Sequence, residues 1–202
     1  MAGKNNILYI HDFIQVTEVE GPGKRACIWV QGCSIRCQSC MVPHTWERSE
    51  GRPVFIDDLF AQLSSNPEIE GLTVLGGEPM EQAETLLPLL IKVKKIGLSI
   101  MVFTGYYLEQ LTDNSQKQIV ELCDLLIDGP YVKSLTDFSH PWIGSKNQQI
   151  HFLTDRYQYL QHQQQIVNQS IEVRIATNGE IKINGMLPNT LLETFQKEFE
   201  TI

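Results

Sequence analysis

Three cysteines, Cys33, Cys37 and Cys40, fall within eight residues directly behind a short apolar run, Ala26–Gln31, and a single glycine at 32. The run reads as a buried strand stopped by Gly32, so the cysteine loop belongs at that strand's C-terminal end. Thiolates are soft ligands, and three of them on one tight loop suit a metal or an iron–sulfur cluster better than a packed interior. The total of five cysteines is odd, which argues against a secreted disulfide framework and for a metal or redox site in a reducing compartment.

Spacing alone leaves several chemistries open. Four cysteines are the usual complement of a cubane cluster, and a set of three leaves one iron free to chelate a substrate. A zinc site could use the same thiols, with His44 as fourth ligand four residues past Cys40. A complete electron-transfer cluster and unrelated cysteines are the remaining alternatives. The net charge of −8 gives no overall basic footprint, so neither nucleic acid nor anionic membrane is expected as a partner. The N-terminal Met-Ala-Gly-Lys-Asn-Asn lacks the apolar core of a signal peptide, and no apolar run approaches about 18 residues. A cytoplasmic location without membrane attachment is the expectation.

The chain of 202 residues is long enough for one well-buried domain. Helical spacing is seen at Asp57–Leu63, with acids in the first turn, and at Glu81–Lys95, with Lys92, Lys94 and Lys95 near its end and Gly97 as cap. A helix is also predicted over Leu108–Leu122. Strands are predicted at Leu72–Leu75, Leu98–Thr104 and Leu125–Ile127, closed by Gly76-Gly77-Glu78-Pro79, Gly105 and Asp128-Gly129-Pro130 respectively. The polar stretch Lys133–Gln149 reads as a long, functional loop. Ile171–Ala176 and Glu180–Ile183, joined by Asn178-Gly179, predict a hairpin. Leu187–Phe199 predicts a closing amphipathic helix. Strands alternating with helices favour a parallel α/β core with ligand sites at the C-terminal strand edges, and so few units suggest a partial (β/α) barrel rather than a closed one. We expect one domain over 1–202, with a core of about 20–155 and a C-terminal extension, hairpin and helix included, of about 156–202.

The C-x3-C-x2-C loop at the end of a first strand, followed by Gly-Gly-Glu-Pro at 76–79 after the second, resembles the radical S-adenosylmethionine (SAM) superfamily. Val19-Glu20-Gly21-Pro22-Gly23 is similar to the Asp-Gly-Pro-Gly opening of glycyl-radical-enzyme activating enzymes. Val30-Gln31-Gly32-Cys33, Pro43-His44-Thr45-Trp46, Thr104-Gly105-Tyr106, Asp128-Gly129-Pro130-Tyr131 and the segment from Trp142 to Gln148 resemble the activases of anaerobic ribonucleotide reductase. Met41-Val42, in place of the usual His-Asn, and the C-terminal extension depart from that pattern. The hairpin could be a partner platform or a lid.

The resemblance implies an oxidoreductase in which Cys33, Cys37 and Cys40 bind three irons of one [4Fe–4S] cluster. SAM would chelate the fourth iron and be cleaved reductively to a 5′-deoxyadenosyl radical. It further implies SAM contacts from Ser39, Cys40, Met41, Gly76, Gly77, Glu78, Pro79 and Asp128, although Glu78 could equally cap a helix and Asp128-Gly129-Pro130 could be only a turn. The implied partners are a glycyl radical enzyme and a flavodoxin- or ferredoxin-like electron donor. Peptide- or small-molecule-modifying radical SAM chemistry, such as a 7-carboxy-7-deazaguanine synthase-like reaction, and a non-catalytic iron–sulfur or zinc protein are the alternatives. Arg36 could donate to cluster sulfides or face water. Cys27 and Cys123 read as buried packing residues.

Overall fold

The computed structural model describes residues 6–162 and 170–186. Its centre is four parallel strands, β2 (Arg25–Val30), β4 (Gly71–Gly76), β5 (Ser99–Phe103) and β6 (Leu125–Asp128), hydrogen-bonded in that order. These four are the strands that apolar runs marked in the sequence. Antiparallel strands the sequence reading missed extend the sheet on both sides. β1 (Ile7–Thr17) pairs with β2, β3 (Arg52–Phe55) pairs with β1, and β7 (Gln149–Phe152) pairs with β6. The seven-stranded sheet is thus mixed α/β, ordered β3-β1-β2-β4-β5-β6-β7.

The reason these strands escaped notice is physical. β2 is buried throughout, so it reads as a continuous apolar run. β1 is only partly buried, with a register shift between Ile10 and Asp12 that interrupts its alternation. β3 is a mostly exposed edge strand containing Pro53, at a position where a missing N–H is tolerated.

Helices α1 (Ile56–Ser64), α2 (Ala83–Lys95) and α3 (Asn114–Leu122) cover one face of the sheet. Two helix boundaries differ from expectation. A 3₁₀ turn, Pro79–Gln82, precedes α2, and the segment 108–122 is split into a 3₁₀ turn at Leu108–Gln110 and α3. Asp113 breaks it, its N–H donating to Gln116 Oε1 at 3.3 Å. The core between the layers joins Leu72, Val74 and Ile100 of the strands to Leu59, Leu89 and Val93 of the helices, all at most 1% exposed.

Met101, Leu125 and Ile127 point to the opposite face and pack on Tyr157. There the guanidinium of Arg25, fully buried, donates to Thr73 Oγ1 (2.7 Å), Ser99 Oγ (2.8 Å), Leu72 O (2.8 Å), Tyr157 Oη (3.2 Å) and Pro22 O (3.3 Å).

The predicted hairpin is present as β8 (Ile171–Ile175) and β9 (Ile181–Gly185). Polar bonds tie it to the sheet and to the Glu20 turn. Glu172 accepts from Thr17, Arg174 donates to Val16 O, Lys182 meets Asp12, and the Glu20 carboxylate accepts from the Gly185 N–H at 2.7 Å. The predicted helix Leu187–Phe199 lies outside the described residues. Among those described, no helix is long and apolar enough to cross a membrane.

Candidate iron–sulfur and cosubstrate site

β2 delivers Cys33 to the sheet edge. Past Val30 the chain continues as Gln31, buried, and Gly32 at φ 105°. The returning segment 42–47 then clamps it: Gly32 N–H donates to Thr45 O (2.8 Å) and Cys33 N–H to Trp46 O (3.0 Å). The Gln31 side-chain amide adds bonds to His44 O (2.8 Å) and Glu47 O (3.0 Å). Inside the loop, Arg36 (φ 49°) and Ser39 (φ 63°) take left-handed conformations, each immediately before a cysteine. Such φ values are uncommon for side-chain-bearing residues and often mark sites where the turn itself is needed.

Cys33, Cys37 and Cys40 carry free, half-buried thiols, whereas Cys27 and Cys123 are fully buried, as their packing role requires. Burial pushes the Cys33 and Cys37 thiols up, and backbone N–H groups pull the other way: those of Ile35 and Arg36 at Cys33, and that of Tyr131 at Cys37. Amides aimed at sulfur are what a ligating thiolate uses, because they spread its charge once metal has displaced the proton. Among the described residues, no three of His, Cys, Asp and Glu are grouped to hold a single metal ion. His44, the candidate fourth zinc ligand, packs against His11 with ring centres 4.6 Å apart and planes tilted by 48°. Three partly exposed thiols on one loop, two of them with amide donors, fit a cubane's three separate irons.

The Gly76–Pro79 loop lies against this loop's root. Gly77 N–H donates to Val30 O and Glu78 N–H to Gly32 O, both at 2.8 Å. Gly76, at φ 102°, would place a Cβ 2.8 Å from the Trp29 Cα. The two glycines are therefore required first by the contact between the strand ends, and only through it by any ligand above.

Glu78 is 1% exposed and its carboxylate is committed: Oε1 accepts from Thr104 Oγ1 (2.8 Å) and Met80 N–H (2.9 Å), Oε2 from Gly105 N–H (2.8 Å). Burial raises its pKa to about 7 against these hydrogen bonds. It caps the 3₁₀ turn at Pro79 and ties β4 to β5. Arg36 forms an exposed ion pair with Glu47 and lies over the Trp46 ring, 5.9 Å from its centre.

Asp128 is buried too, but it follows Leu126, which faces the helices, at the strand interval. Its Oδ2 accepts from Leu108 N–H (2.8 Å) and stands 3.0 Å from His151 Nε2. That short approach is not aligned as a hydrogen bond, so His151 Nε2 has none, and Asp128 Oδ1 also lacks one. The structure brings Gly76, Gly77 and Glu78 onto the root of the cysteine loop; Asp128 holds the 105–108 turn instead.

Sequence reasoning missed Glu81 and Gln82 on the turn Pro79–Gln82. Gln82 Oε1 accepts from Tyr9 N–H (3.0 Å), and its Nε2 donates to Tyr9 O (2.9 Å) and Gln31 O (3.0 Å), locking β1 to β2. The only local signal was an acid three residues past Glu78, a spacing that ordinarily marks a helix start. Beside Cys37, residues Gln38, Tyr131, Val132, Lys133 and Ser134 line an open cleft of about 590 Å³.

Comparison with known proteins places the chain among relatives. Residues 19–151 match the family described as a 4Fe-4S single cluster domain. The anaerobic ribonucleoside-triphosphate reductase-activating protein of Escherichia coli strain K12 is 34% identical over 151 residues, which span 71% of this chain and 97% of that protein. The protein of the same name from Haemophilus influenzae is 36% identical over 66% of this chain and 90% of its own length. That of Enterobacteria phage T4 is 33% identical over 68% and 89%. Among solved structures, QueE from Escherichia coli superposes with a TM-score of 0.44 at 21% identity, covering 52% of this chain and 57% of that one.

Proposed function

The chain belongs to the 4Fe-4S single cluster domain family and to the anaerobic ribonucleoside-triphosphate reductase-activating proteins, and from this we propose that it is a radical SAM enzyme that installs a glycyl radical on an anaerobic ribonucleotide reductase. The observation that carries the reading is the joining of two loops. The Gly76–Pro79 loop is hydrogen-bonded to the root of the thiol-bearing loop at Val30 and Gly32, so a ligand held by one is presented to the other.

Cys33, Cys37 and Cys40 would each hold one iron, leaving the fourth iron for the amino and carboxylate groups of SAM. The cluster, once bound and reduced, supplies the electron that cleaves SAM to a 5′-deoxyadenosyl radical able to abstract hydrogen. The chain's own residues position and shield. The backbone of Ser39, Cys40 and Met41 would border the nucleoside. Gly76, Gly77 and Pro79 would form the wall for the methionine end. Glu78 shapes that wall from beneath, its oxygens already holding Thr104, Met80 and Gly105. Ile35 covers Gly105 closely enough that a Cβ there would lie 2.7 Å from its Cδ1. Asp128 acts at one remove, through the 105–108 turn.

We read the sheet as a partial barrel whose open side admits a partner's glycine loop, the whole of 1–202 as one functional unit, and the electron donor as flavodoxin- or ferredoxin-like. Free thiols and an oxygen-sensitive group suit a cytoplasmic setting.

The test is anaerobic reconstitution with iron and sulfide, followed by SAM and dithionite. The expected products are 5′-deoxyadenosine and, with an anaerobic ribonucleotide reductase added, the doublet of a glycyl radical by electron paramagnetic resonance. Fully loaded protein that yields no 5′-deoxyadenosine would overturn the reading.

A further inference from the structure

The first residue after Cys33 is held by a carboxylate that the cluster and SAM motifs do not include. Ser34 N–H donates to Glu81 Oε1 at 2.9 Å, and the Ser34 hydroxyl donates to the same oxygen at 2.5 Å. The Tyr106 hydroxyl reaches that oxygen from the far end of β5 at 3.3 Å. One carboxylate oxygen thus gathers the cysteine loop, the turn before α2 and the end of β5. The direction in which the chain leaves Cys33 is set at Ser34, two residues before the left-handed turn at Arg36 (φ 49°).

Glu81 also brings a negative charge to the first cluster ligand. Its oxygen is bonded to the residue next to Cys33, and the Glu78 carboxylate precedes it by three residues, capping the same turn. The two carboxylates differ in kind. Glu78 is enclosed and saturated with donors, whereas Glu81 is exposed, so its charge is open to salt.

We propose that Glu81 is a positioning residue for Cys33: through Ser34 it fixes the approach of the first thiolate to its iron, and its charge makes the cluster harder to reduce. The electrostatic sign follows from reduction adding an electron beside a fixed negative charge, which costs free energy and moves the midpoint potential to more negative values. The inference rests on the cluster assignment above.

The test is a redox titration followed by electron paramagnetic resonance on reconstituted protein, comparing the parent with Glu81→Gln, Glu81→Asp and Ser34→Ala at two ionic strengths. Glu81→Gln keeps the acceptor oxygen and removes the charge. Its midpoint should move to a less negative potential with iron content unchanged, and the shift should shrink at high salt. Ser34→Ala keeps the charge and loses one bond; its potential should stay near the parent's while its iron is lost faster to a chelator. Glu81→Asp keeps the charge on a shorter arm and should resemble Ser34→Ala. A purely architectural role would leave the Glu81→Gln potential at the parent's value at both ionic strengths, and that result overturns the proposal. Parent protein that assembles no cubane signal would instead remove the cluster assignment itself, an outcome read before any variant is compared.

Discussion

Gly77 and Gly32 meet backbone to backbone: a Cβ on Gly77 would lie 2.3 Å from the Gly32 carbonyl oxygen, which accepts the neighbouring Glu78 N–H at 2.8 Å. No flexible side chain stands between them to yield. Gly77→Ala must therefore part the strand ends, at a cost of about 1–3 kcal/mol typical of overpacking. The expected outcome is a lower melting temperature for the metal-free chain and a reduced iron content after reconstitution. Gly97→Ala is the control. Its φ of 82° is also left-handed, but nothing lies within 4 Å of the added Cβ, so about 1 kcal/mol of local strain with full iron loading is expected.

Stability should fall as pH rises through the titration of Glu78. Its pKa is about 7 in the fold against 4.5 ordinarily, burial being the first cause. Below pH 4.5 both folded and unfolded chains carry the proton, so the shift costs nothing. Between these values only the folded chain holds it, so stability is lost with rising pH and levels off above about 7. The total is on the order of 3 kcal/mol. Urea denaturation of the metal-free chain from pH 5 to 8 measures the slope, and Glu78→Gln should flatten it. An equal slope in that variant would assign the dependence to another group.

Arg25 tests a buried guanidinium whose described partners are all neutral groups. Arg25→Lys retains the charge but cannot reproduce a fork that reaches Thr73, Ser99 and Leu72 at once. We expect a loss of about 1–3 kcal/mol from the acceptors left buried, read as a lower denaturant midpoint. Tyr157→Phe, removing one of its contacts, should cost about 1 kcal/mol.

The hairpin is fastened by polar bonds, so it should loosen independently of the cysteine loop. Glu20→Ala removes the acceptor of the Gly185 N–H. Hydrogen exchange should accelerate in β8 and β9 and remain unchanged across 31–47. Acceleration in both segments would show that the hairpin supports the site.

Cysteine substitutions should divide by burial. Cys33→Ala, Cys37→Ala and Cys40→Ala should each lose the cluster, measured as iron per chain. Cys27→Ala and Cys123→Ala remove a fully buried sulfur and should keep full iron while losing about 1 kcal/mol to the small cavity.

Sequence reading identified the four parallel strands, the two loops at their ends and the hairpin, because those features are written locally. A strand buried on both faces is mostly apolar, a turn with positive φ favours glycine, and three thiols in eight residues have few uses. It did not reveal β1, β3 or β7, whose pairing is decided by distant partners and whose half-exposed faces carry no uniform pattern. Only the tertiary structure shows that Gly77 is needed by Gly32, that Glu78 is spent on Thr104 and Gly105, that Asp128 turns to Leu108, and that Glu81 reaches back to Ser34. Each of these links residues at least 20 positions apart, up to 47 between Ser34 and Glu81. A hydrogen bond depends on direction in space as well as on residue type, so these bonds become defined when the strands fix where each side chain points.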